Sequence, residues 1–247
     1  MTPEPAERQP MSEFGRISNV FFEPKAAFAD IAARPRPWVA LVLLAVVSIA
    51  YMVSFSQRVG WERFMEQQAE KNPQMLNLSA DQRTRAMEMN AKIGGVMNKA
   101  MPALPLIMVP LMTLLVAGVF ALVFRVLMGA DVSFGQLFGI TAYGSLPDVL
   151  FNAAAIAVLF LKNPEEFNFE NPVAFNVGAF LDPQSTSKAL MSLATSIDVF
   201  TFWKLALLAV GVSVAARRMS FGKALAGVSI PWLLWVVVKT GLAALRG

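Results

Sequence analysis

The richest set of side chains able to do chemistry lies in Thr141-Ala-Tyr-Gly-Ser-Leu-Pro-Asp-Val-Leu150. Thr141, Ser145, Asp148 and Asn152 follow one another at spacings of four, three and four. On a helix that spacing predicts one polar face. Pro147 removes a backbone hydrogen bond and frees a carbonyl about one turn earlier. Asp148 stands inside a long apolar run, where an ionised carboxylate costs roughly 2.5–3.5 kcal/mol on insertion scales. It is expected to be paired, protonated or hydrated. Lys204 and Lys239 lie in other apolar runs and are the candidate partners, although lysine stems can also snorkel outward. With Tyr143, Asp198 and Trp203 these residues form the candidate intramembrane polar site. It has three readings: polar glue between helices, a partner or lipid contact, and a transport or proton pathway. Asp148 and Asp198 are an aspartate pair on paper, but they fall at different depths of their runs, which argues against intramembrane proteolysis.

These side chains need elements that tolerate an apolar solvent. The chain has 247 residues, 56% hydrophobic and 15% charged. Soluble domains hold about 45–50% apolar and about 25% charged residues. Histidine and cysteine are absent, which removes the commonest general base, the commonest metal ligand and every thiol. No phosphate-binding loop, nucleophile elbow or metal-ligand pair is present in the sequence. No catalytic residue, metal or cofactor is therefore expected. The net charge of +4 fits lysine and arginine flanking membrane spans better than nucleic-acid binding.

A span needs about 20 mainly apolar residues. Five runs qualify, near 38–55, 102–124, 134–161, 197–216 and 224–245, and predict an all-α polytopic bundle of about five transmembrane helices. The first nine or so residues are polar and proline-rich, and the first apolar run starts near Trp38. That is late for a signal peptide, so the first span is expected to stay in the mature chain.

Residues 1–37 predict a cytoplasmic segment with a short amphipathic helix. Pro24 suits a first helical turn, and Ala27, Phe28 and Ile31 share a face, either on the membrane surface or in a structured linker. Arg34-Pro35-Arg36-Pro37 ends that helix. In the polar loop 56–101, Ser79-x-x-Gln82 predicts a capping box opening a helix that Gly94-Gly95 is expected to kink. The loop 162–196 is rich in asparagine, proline and phenylalanine. Phe167, Phe169, Phe175 and Phe180 are candidates to dip into the interface, and residues 185–194 to form a short helix. Small residues recur at four-residue spacing in Gly135/Gly139, Thr113/Ala117/Ala121 and Gly211/Ala215, a pattern that lets helices approach closely.

Lys25, Arg34, Arg36, Arg125, Arg217, Arg218 and Lys223 fall on one side of the spans. Lys162, Lys188 and Arg246 fall on the other, with Arg58, Arg63, Lys92 and Lys99 near the ends of the first loop. The excess places the N-terminus in the cytoplasm, and an odd number of spans puts the C-terminus outside.

Three stretches carry a family likeness: Arg16-Ile-Ser-Asn-Val-Phe-Phe-Glu-Pro-Lys-Ala-Ala-Phe28 with Pro37-Trp38, Tyr143-Gly-Ser-Leu-Pro147, and Ile197-Asp-Val-Phe-Thr-Phe-Trp203 running on to Gly211 and Ala224. In this order and spacing the chain resembles a bacterial member of the Yip (Ypt/Rab-interacting-protein) family. The resemblance implies five helices, a cytoplasmic N-terminus and residence in the bacterial inner membrane. Similar eukaryotic proteins act in vesicle trafficking and contact Rab GTPases through a long N-terminal region. The segment before Trp38 is short here, so that role is not carried over. The expected function is non-enzymatic: membrane organisation or protein–protein interaction within the bilayer. The expected partners are membrane lipid and other membrane proteins or a second copy, with no nucleic acid. The alternative is a small transporter, channel or transporter subunit using the face around Asp148.

Overall fold

The computed structural model describes residues 10–70, 77–182 and 185–245. The polar first nine residues and Arg246, both used in the sequence reading, lie outside the described residues. The described residues are 78% helical. Among the described residues the only β pairing is an isolated bridge between Asn176 and Asp198. The helices are α1 (Glu13–Phe22), α2 (Pro24–Ala33), α3 (Trp38–Arg58), α4 (Trp61–Glu70), α5 (Ala80–Ala100), α6 (Pro105–Ala121), α7 (Phe134–Gly144), α8 (Pro147–Leu161), α9 (Lys188–Ser196), α10 (Val199–Ala215) and α11 (Phe221–Leu245). Among the described residues four segments are long and apolar enough to cross a bilayer: Trp38–Arg58, Pro105–Leu127, Phe134–Leu161 and Phe221–Leu245. Val199–Ala215 is also apolar but shorter, at 17 residues. The architecture is an all-α polytopic bundle.

Two compact units divide the chain. The first comprises Met1–Leu41, Met112–Pro147 and Asn176–Gly247. In it, α2 packs on α7 and α10, and α10 packs on α11. Glycines set the close approaches. A Cβ on Gly211 would stand 2.5 Å from Ile140 and 3.0 Å from Phe28, and one on Gly139 would stand 3.2 Å from Ile31. Ala27, Phe28 and Ile31 are fully buried, so the apolar face of α2 finds its cover in protein. Gly135, which shares the small-residue pattern, has open space where a Cβ would go. The final turn of the second span widens into a π-helix at Leu122–Leu127.

The second unit comprises Val42–Leu111 and Asp148–Phe175. Ser79 and Gln82 cap α5 reciprocally. The helix runs unbroken through Gly94-Gly95. Gly94 serves packing: a Cβ there would come within 2.5 Å of the Glu62 backbone on α4. Phe167 and Phe169, candidates for the interface, turn inward onto Phe55, with ring centroids 6.0 and 4.7 Å from it. Trp61 and Phe64 pack edge-on against Phe169. Phe175 is exposed, as is Phe180 of the first unit. Arg58 closes the C-terminus of α8. Its Nε donates to Leu159 O at 2.6 Å, and one terminal nitrogen donates to Phe160 O and Lys162 O at 3.1 and 3.2 Å.

Candidate functional site

The third span is built from two helices, α7 and α8. Its helix breaks after Gly144 and restarts at Pro147, because Pro147 has no N–H to continue the ladder. Thr141 lies before the break, 2% exposed, and its hydroxyl donates to Leu137 O at 2.7 Å. Ser145 caps α7. Asp148 and Asn152 lie after the break, and the Asn152 amide donates to Asp148 O at 2.8 Å. Thr141 and Asn152 thus turn their polar groups back onto their own helices. Asp148 stands in the first turn of α8, where a helix N-terminus favours negative charge. The break therefore supplies a local reason for a carboxylate that the sequence alone placed in mid-span.

Asp198 is also explained locally. It is the N-cap of α10, and its Oδ1 accepts from Thr201 N at 2.9 Å. Trp203 packs edge-on against Phe21 of α1, with centroids 5.4 Å apart. Lys204 and Lys239 are half-buried on α10 and α11. They belong to the first unit and Asp148 to the second; their pairing stays an expectation.

Tyr143 leads to a cluster that the sequence reading did not anticipate. The ring is fully buried on α7 and its hydroxyl donates to Glu13 on α1. Arg16, one turn along α1 and 1% exposed, reaches Asp30 on α2 through Nε at 2.7 Å and Glu13 at 3.4 Å. Asp30 also takes Arg34 at 3.4 Å and the Met11 N–H at 3.2 Å. A third tie, from Gln136 Nε2 to Ala32 O at 3.0 Å, joins α7 to the end of α2. Burial works against the charge on Arg16. The hydrogen bonds to Asp30 and Tyr143, with the charges of Asp30 and Glu13, outweigh that effect and hold the guanidinium above its ordinary value. The arrangement satisfies a buried cation and fixes α1 and α2 against α7. Two carboxylates already engaged by arginine and tyrosine are poor ligands for a metal, and no group of acidic residues among those described could hold one.

One signal for this cluster was present in the sequence. Glu13 and Arg16 are three apart, a spacing that pairs side chains on a helix. The partners at Asp30 and Tyr143 come from tertiary packing and leave no local trace.

Apolar spans, a broken third span and a helical pair docked against it define a multi-pass helical membrane protein. The Yip1 domain matches residues 18–242. The chain belongs to the Yip family, as the three sequence stretches suggested. No curated protein and no solved structure shows a significant match to it.

Proposed function

We propose that this Yip-family protein is non-enzymatic and works by gathering other membrane components within the bilayer. The observation that carries this reading is the outer surface of α11. Only 11% of its most apolar stretch is buried within the chain. Leu234, Trp235 and Val237 are each more than 60% exposed. A membrane helix gains little by facing its own fold when lipid is equally apolar, so a wide bare face offers room for further helices. Trp235 supplies a broad, rigid ring of the kind that anchors interfaces. We infer a bacterial cytoplasmic membrane from the family resemblance, and an N-terminus inside from the distribution of arginine and lysine around the spans.

Crosslinking in native membranes followed by mass spectrometry tests the reading. The expected result is reproducible adducts to other membrane proteins or to a second copy. Recovery of the chain only as an isolated monomer would overturn it.

A further inference from the structure

The second and third membrane-crossing segments end at Leu127 and begin at Phe134, so only residues 128–133 join them. A connection that short must lie at the membrane boundary. It is firmly built. Met128 N donates to Val123 O at 3.0 Å and Ala130 N to Phe124 O at 2.7 Å. Gly129 takes φ +63°, a left-handed turn that suits glycine. Ser133 and Gln136 cap α7 reciprocally.

This turn and the π-helical end of the second span surround an open cavity of about 790 Å³, within the usual size of small-ligand sites. One wall is apolar and continues the exposed side of the span, with Leu122 54% and Val126 70% exposed. The rim carries Arg125 and Asp131. Neither side chain makes a hydrogen bond or ion pair with another described residue. An exposed arginine and an exposed aspartate thus stand at a membrane boundary beside an apolar wall.

We propose that this cavity binds the headgroup of a zwitterionic, amine-bearing phospholipid. Arg125 contacts the phosphate, Asp131 the ammonium, and the acyl chain lies along Leu122 and Val126. A purely anionic headgroup would satisfy Arg125 and be repelled by Asp131. An ammonium with N–H donors satisfies both charges, and arginine's planar fork suits phosphate. The proposal needs only that these two spans cross a bilayer; it goes beyond the recruiting role and does not depend on it.

The test is native mass spectrometry of the full chain in detergent, titrated with phosphatidylethanolamine, phosphatidylcholine and phosphatidylglycerol of identical acyl chains. Wild type is expected to retain phosphatidylethanolamine best. Arg125→Gln should weaken its retention about tenfold, the worth of one charge-assisted hydrogen-bonded contact. Asp131→Asn should abolish the preference for it over phosphatidylglycerol. Arg217→Gln, removing a charge elsewhere on the surface, should change nothing. Both site residues lack protein partners, so unchanged melting curves are expected to accompany these losses. Equal retention by Arg125→Gln and wild type would overturn the proposal, as would no lipid preference in wild type or an equal loss in Arg217→Gln. Free phosphoethanolamine competing as well as the lipid would overturn the lipid assignment.

Discussion

The Arg16 guanidinium lies 2.7 Å from the Asp30 carboxylate while only 1% exposed. The pair joins α1 to α2, and through Glu13 and Tyr143 it extends to α7. Buried ion pairs add little net stability against a well-packed apolar alternative, but losing one member strands the other. Arg16→Met should therefore cost about 3–5 kcal/mol, read as a lower melting temperature in detergent. Arg16→Lys should recover little of it, because one ammonium cannot reproduce the arginine fork. The raised folded pKa of Arg16 means that its contribution is complete at neutral pH. It would be lost only as pH rises through that raised value, so it should stay constant across the neutral range.

Gly94 and Gly95 are neighbours with different surroundings. A Cβ at Gly94 meets the Glu62 backbone, whereas one at Gly95 meets only the Glu62 carboxylate at 3.2 Å. Gly94→Ala should force α4 and α5 apart at a cost of about 1–3 kcal/mol. Gly95→Ala should be neutral or slightly stabilising through helix propensity. Protease sensitivity of the α4–α5 pair would separate the two variants.

The two aspartates of the candidate site should behave as helix-terminus residues. Asp198→Ala should cost about 0.5–2 kcal/mol and Asp198→Asn much less, since asparagine also caps. Asp148→Asn should cost about 0.3–1 kcal/mol. Thermal melts check both. A much larger loss at Asp148 would point back to a buried partner of the kind expected at Lys204 or Lys239.

Arg58 bonds three carbonyls at the end of α8 and lies 5.3 Å from the Phe160 ring centre. Arg58→Ala leaves those carbonyls to water and should cost about 1–3 kcal/mol. Hydrogen exchange should show the last turn of α8 opening in this variant.

The sequence made the helical class and the membrane setting legible because both rest on long apolar runs, which no packing detail can disguise. The capping box at Ser79 was legible because its partners are three residues apart. Pro147 was singled out for the hydrogen bond it removes, but the polar spacing around it was read on one helix. The structure shows two helices, so the four-three-four spacing crosses a break between them. Gly94 was read as a backbone weakness when its role is a close helix contact that only coordinates reveal. The Arg16 cluster escaped because Asp30 and Tyr143 lie 14 and 127 residues beyond it.

The proposed recruiting role makes the bare face of α11 the contact surface for other membrane components. The chain has no cysteine, so a single cysteine carrying a photocrosslinker reports one position without background. Placed at Trp235, 62% exposed, it should give adducts to one or a few specific membrane proteins or to a second copy; at Val236, 6% exposed, it should give few. Lipid-only adducts at Trp235, or equal protein yields at the two positions, would rule that role out for this face.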